Sequence, residues 1–221
     1  MRRDWTHVKK TERVSFMKQG ASLIPEPPRQ KRSLRTRAAL LSAVEGLVAA
    51  EGADAVTTTR IAAETGVAVG TIYRYFADRE ALLLAAYDET VGRVVAECNK
   101  TLATLPEETL APDAARSLLR CYLEAAEAIP AHAGLLRAMR VIRPVAADYA
   151  ANESEIERDI LAPFFKRFLP EADAPPVALV LINAMIGTLV DLYLVTEAQA
   201  ERDWLRSEIE AQLAFMVERL D

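Results

Sequence analysis

The chain has 221 residues, 51% of them hydrophobic and only eight glycine, which suits one or two helical domains around a sizeable core. Its net charge of −5 hides a division, because residues 1–37 hold eleven Lys/Arg against three Asp/Glu while the remainder holds sixteen against twenty-nine. A basic end on an acidic body fits a partner rich in phosphate; a basic tail without a partner is the alternative for residues 1–25 taken alone.

Residues 1–28 end in Pro25-Glu26-Pro27-Pro28, which stops any helix, and are expected to be a disordered or appended arm. They are charged and lack the apolar core of a secretory signal. Arg29, Lys31, Arg32, Arg35 and Arg37 lead into a helix expected over residues 33–50, with Leu40, Leu41, Val44, Leu47 and Val48 on its inner face. Residues 57–76, TTTRIAAETGVAVGTIYRYF, then predict two short helices joined by one tight turn. Thr57, Thr58 and Thr59 offer hydroxyl caps for the first helix, and Gly66 can take the left-handed backbone that ends it. In the second, Ile72 and Phe76 fall one turn apart on the inner side. Any amphipathic hairpin shares that spacing, but the outer side is unusual. Gly70 and Thr71 are small enough for close backbone approach, and Tyr73, Arg74 and Tyr75 are suitable donors to phosphate oxygens.

Asp78 is a natural N-cap for a helix over residues 78–105, closed by Pro106, with Leu82, Leu83, Tyr87, Val91, Val94, Cys98 and Leu102 facing inward. Helices are expected next over residues 112–129 and 131–142. A further one over 153–168 is kinked or divided by Pro163. Residues 177–196 and 203–220 form the last pair. The stretch 177–195 is apolar enough to raise a membrane-spanning reading, but it contains Asn183 and Asp191 without close basic flanks, so a buried interface helix is preferred. Cys98 and Cys121 lie within helical patterns and are expected to be free, buried thiols.

The stretch around residues 57–83 resembles the DNA-binding domain of the tetracycline-repressor (TetR) family of bacterial regulators. The pieces that carry the resemblance are the threonines before Ile61-Ala62, then Gly66-Val67, Gly70-Thr71-Ile72-Tyr73-Arg74-Tyr75-Phe76 and Arg79-Glu80-Ala81-Leu82-Leu83, with an upstream helix ending at Glu51-Gly52. The match is close over residues 35–83 and general beyond. It implies an all-α fold: a three-helix helix-turn-helix DNA-binding domain at residues 29–78, and a helical ligand-binding and dimerisation domain at 79–221. It also implies a homodimeric repressor acting on a palindromic operator in double-stranded DNA, in the cytoplasm, with a small-molecule effector. By position in the family motif, Thr59, Val69, Gly70, Thr71 and Arg74 stand nearest the bases, and Thr57, Thr58, Tyr73, Tyr75 and Arg79 grip phosphates. The chain departs from the family where Ala68 replaces a small hydroxyl residue, Val69 a polar or basic one and Arg79 a lysine. Ala68 forgoes a cap worth ~1 kcal/mol. Val69 can touch a thymine methyl but cannot hydrogen-bond a base edge.

Tyr122, His132, Met139, Tyr149, Phe164 and Asn183 are candidates for the lining of a ligand cavity, though each could equally be core. Asn183, Gly187 and Asp191 share one helical stripe, read either as close packing at a subunit seam or as pocket lining. Arg137, Arg140 and Arg143 recur every three residues and are read as a solvated face. In the resembled family the last two helices of each subunit build the dimer interface, here residues 177–196 and 203–220. No Gly-rich phosphate loop, nucleophile elbow, HExxH or CxxC occurs, so no catalysis, metal or cofactor is expected. A DNA-binding architectural protein without a ligand, or an all-helical enzyme, are the rival readings.

Overall fold

The computed structural model describes residues 28–143, 156–172 and 176–220, and among these every regular element is a helix. α1 spans Pro28–Glu51, starting before the expected Ser33 because proline is tolerated at the first helical position. A 3₁₀ turn at Ala53–Ala55 follows, then α2 (Thr58–Thr65), α3 (Val69–Ile72), the long α4 (Arg79–Thr104), α5 (Ala111–Glu127) and α6 (His132–Ile142). A π turn at Glu157–Leu161 runs directly into α7 (Ala162–Phe168), and α8 (Pro176–Val195) and α9 (Gln199–Glu218) complete the chain.

The inner residues foreseen for α1 are all buried, as are the seven foreseen for α4. Each such side chain contributes about 2 kcal/mol by leaving water. Asp78 caps α4 through a 2.7 Å bond from the Ala81 amide. At 1.5 Å per residue α4 is about 39 Å long, and it packs against α1 at its start and against α5, α6 and the π turn further along. Its far end is capped by Arg167 of α7, whose guanidinium donates to the Leu102 and Leu105 carbonyls.

Pro163 divides its helix as expected. The device is a π turn, in which the Ala162 amide donates to the Glu157 carbonyl five residues back. α5, α8 and α9 are tied together at Tyr193. Its hydroxyl donates to Glu127, while Arg202 and Arg206 lie 4.8 and 5.4 Å from its ring centre. Cys98 is buried and Cys121 half-buried; both are free thiols, and burial pushes the Cys98 thiol far above its ordinary pKa. Among the described residues no helix is long and apolar enough to cross a membrane.

Candidate nucleic-acid interface and the cavity behind it

α2 and α3 form the hairpin anticipated for residues 57–76. Thr57 is the N-cap of α2, its hydroxyl accepting from the Arg60 amide at 3.2 Å. Gly66 ends the helix at φ 67°, in the left-handed region, and its amide returns to the Ala62 carbonyl at 2.9 Å. Ile61, Ile72 and Phe76 are buried and fix the second element against the first. That second element is shorter than a regular helix. α3 stops at Ile72, and Tyr73, Arg74 and Tyr75 continue as hydrogen-bonded turns. The reason is local: Ala68 supplies no side-chain cap, and Val69, Gly70, Thr71 and Tyr73 are weak helix formers.

Thr57, Thr59, Val69, Gly70, Tyr73 and Arg74 are exposed, whereas Thr58, Thr71, Tyr75 and Arg79 are half-buried. Tyr73 keeps 53% of its surface, unusual for a large aromatic residue, and its hydroxyl has no hydrogen-bond partner among the described residues. Gly70 has open space on its outer side, with no atom within 4 Å of where a Cβ would stand. Beside this row, Arg37 of α1 lies over the Phe76 ring at 5.9 Å, and Lys31, Arg32 and Arg35 stand exposed on the turns before it.

Arg79 is placed differently from its expected role as a phosphate grip. Its Nε donates to the Val56 carbonyl at 2.8 Å and one Nη to the Ala53 carbonyl at 2.7 Å, with Asp54 at 3.6 Å. These carbonyls belong to the 3₁₀ turn and the residue after it, so the guanidinium fork fastens the start of α4 to the hairpin. Sequence reasoning assigned the charge and the fork of Arg79 to phosphate; its inward role depends on the Ala53 and Val56 carbonyls, more than twenty residues earlier in the chain. Arg60 is likewise occupied, bonding Glu51 at 2.7 and 2.5 Å and holding that carboxyl below its ordinary pKa.

Behind the hairpin, α4 to α9 line a partly open cavity of about 680 Å³. Of the six candidate lining residues, Tyr122, Met139, Phe164 and Asn183 border it, and Tyr149 lies outside the described residues. His132 does not border it. It is buried between α4 and α6, its Nδ1 2.8 Å from the Thr90 hydroxyl and its ring 5.6 Å from that of Tyr87. Burial, with Arg93 adding to it, pushes its pKa down to about 4, so the imidazole is neutral.

Asn183, Gly187 and Asp191 all border the cavity. Arg140 is also on the wall rather than on a solvated face. Its Nε and one Nη lie 2.6 and 2.5 Å from Asp191, joining α6 to α8. An arginine repeat could be read as a surface row only because the acidic partner lies on a helix far along the chain. Of its neighbours, Arg137 donates to the Val195 carbonyl and to Glu197, and Arg143 borders the cavity. Burial holds the Tyr122 phenol well above its ordinary pKa, with Tyr87 and Asp191 adding to the effect. Among the described residues no cluster of His, Cys, Asp and Glu could hold a metal ion.

The opposite side of α8 carries an exposed apolar row, Val177, Leu181, Met185 and Leu192, and α9 exposes Trp204 and Phe215. Leu213 and Ile209, on the other face of α9, are buried within the subunit.

Residues 40–86 match the family described as bacterial regulatory proteins, tetR family. No curated protein matches the chain in sequence. Solved structures share its fold along most of their length. The TetR family repressor AlkX from Dietzia sp. strain DQ12-45-1b, implicated in biodegradation of n-alkanes, is 15% identical, with 83% of this chain and 97% of that one covered at a TM-score of 0.58. A TetR transcriptional regulator from Rhodococcus sp. RHA1 is 18% identical, with 82% and 95% covered at a TM-score of 0.53. The fatty acid degradation regulator FadR from Bacillus halodurans is 18% identical, with 82% and 94% covered at a TM-score of 0.52. At these identities the likeness is one of fold.

Proposed function

We propose, from the match of residues 40–86 to the tetR family of bacterial regulatory proteins, that the chain is a homodimeric transcriptional repressor released from a palindromic operator by a small, mostly apolar ligand. The DNA-binding domain covers residues 29–78, and residues 79–221 bind the ligand and dimerise. The protein acts in the cytoplasm and is not an enzyme.

One observation supports the release step above the rest. α4 contributes Tyr87, Asp88 and Val91 to the cavity wall, and the first residue of the same helix is bonded through Arg79 to the carbonyls of Ala53 and Val56. A ligand that tilts α4 must therefore carry the hairpin with it and change the spacing between the two hairpins of a dimer. The ligand acts by preferring the non-binding spacing, and ~1–3 kcal/mol of coupling is typical of such systems. A protein that only shaped DNA would need no hollow along that helix.

Contacts to DNA come from the exposed row. Gly70 lets the backbone approach the major groove, Val69 and Arg74 reach base edges, and Thr57 and Tyr73 bond phosphates. Few polar side chains reach the bases, so DNA shape contributes to specificity. The exposed rows of α8 and α9 supply the dimer interface, since a patch of this kind is rarely left in water.

Selection from a random duplex library tests the proposal. Enrichment of a palindrome, with half-sites one helical turn or a multiple apart, is expected from a two-fold symmetric reader. Recovery of no preferred sequence, or of a single unrepeated half-site, would overturn it.

A further inference from the structure

We infer that the cavity takes an uncharged molecule, apolar over most of its length, that carries one hydroxyl or carbonyl oxygen held by Tyr122 and Asn183. The inference rests on the reading of this cavity as the effector site and adds the chemical class of the effector.

The charges on the wall exclude an ionic guest. Arg140 and Asp191 sit side by side across the α6–α8 seam at 2.5–2.6 Å, each with only about a fifth to a quarter of its side chain exposed. A carboxylate brought to Arg140 meets Asp191, and an ammonium brought to Asp191 meets Arg140. Either guest would satisfy one member of the pair only by leaving the other charged, buried and alone. The remaining charged groups on the wall, Asp88, Arg143 and Glu157, each have a partner already. Opposite charges interleaved in this way leave no region of one sign for a charged head group.

The neutral polar groups behave otherwise. Neither the Tyr122 hydroxyl nor the Asn183 amide makes a hydrogen bond among the described residues, and both border the cavity. Burial keeps the Tyr122 phenol protonated, so it remains a donor throughout the physiological range. Donors that face an apolar space without a partner are satisfied by a guest oxygen and are wasted on a hydrocarbon. The rest of the wall, including Val91, Leu118, Met139, Ile160 and Phe164, offers only apolar surface to the remainder of the guest. A volume of about 680 Å³ lies in the ordinary range for small-molecule sites.

The test uses the full-length protein and four probes of one chain length: dodecan-1-ol, dodecane, dodecanoate and dodecyltrimethylammonium. The alcohol is expected to bind about tenfold more tightly than the alkane, the loss that follows from one unmade hydrogen bond, and about a hundredfold or more tightly than either ion, the loss that follows from one broken buried pair. In Tyr122→Phe, and separately in Asn183→Leu, the alcohol should lose most of its advantage over the alkane while the alkane binds as before. Equal or tighter binding of either ion, equal binding of alcohol and alkane, or no binding of any probe would overturn the inference. Operator release is followed in parallel by fluorescence anisotropy. Tight alcohol binding without release removes the release mechanism and leaves the ligand class standing, whereas release by an ionic probe removes the ligand class alone.

Discussion

Around α2 and α3 the polar side chains close the backbone. Thr57 caps α2, Asp78 caps α4, Thr65 bonds the Ile61 carbonyl at 2.6 Å, and Arg79 donates to the carbonyls of Ala53 in the 3₁₀ turn and of Val56 after it. Around the cavity, Tyr122 and Asn183 bond nothing within the described residues, and the wall includes a π turn in place of a regular helix. Both regions bury leucine, valine and isoleucine in the same manner. They differ in where the unmet valences point: outward from a stiff surface in the first, inward to a hollow in the second. On the proposed function, a surface that fits a duplex of fixed shape gains from rigidity, and a cavity that admits a guest gains from groups left unsatisfied.

The sharpest way to break the first half of this contrast is Gly70→Glu. Open space at that Cβ means the side chain fits the folded protein, and glutamate is the better helix former. Operator binding should disappear while the melting temperature holds or rises slightly. Undiminished affinity in that variant would mean that the exposed row faces something other than DNA. Next in size is the subunit contact. Leu181→Glu with Phe215→Glu places charge on two exposed apolar faces without touching the buried Leu213 or Ile209. The variant should sediment as a folded monomer, with operator affinity down by about two orders of magnitude through loss of bivalency. A dimer that survives both charges would move the interface elsewhere.

The body should also be the more acid-sensitive region, because His132 is buried neutral beside Thr90 and Tyr87. Its pKa falls from 6.5 to about 4 on folding, so the unfolded chain binds the extra proton between those values. Its contribution is therefore complete above pH 6.5 and is lost as the pH falls towards 4, by about 3 kcal/mol at most. Denaturant titrations of the wild type and His132→Asn across this window should differ in slope, and parallel curves would remove the assignment. The smallest expected effect belongs to Arg79→Ala, at about 2 kcal/mol for charged donors lost from carbonyls. The hairpin should exchange its amides faster, and the salt dependence of DNA binding should stay unchanged. A flatter salt slope with stability intact would return Arg79 to the phosphate contacts.

How much was legible follows the same contrast. The hairpin could be read in detail because its devices are local. Thr57 caps the Arg60 amide, Gly66 must turn left-handed, and Ile72 lies one turn from Phe76. The same local logic foresaw the inner faces of α1 and α4. The cavity depends on pairs that are distant in sequence. Asp191 on α8 converts Arg140 from a surface residue to a wall residue, and Thr90 on α4 draws His132 into the core. No spacing within a single helix reports such a partner. The length of α3 was misjudged for a different reason, since its weak helix formers were weighed as contact groups and not as backbone.

Gly134 of α6 lies where that helix packs against α1. A Cβ there would stand 2.7 Å from Cγ1 of Val48, so α6 meets α1 with a bare stretch of main chain. Any side chain at that position would have to push the two helices apart, so the close crossing of α1 and α6 depends on the absence of one. α6 goes on to present Met139 and Arg140 to the cavity, so the same short helix meets the N-terminal helix at one end and the cavity at the other.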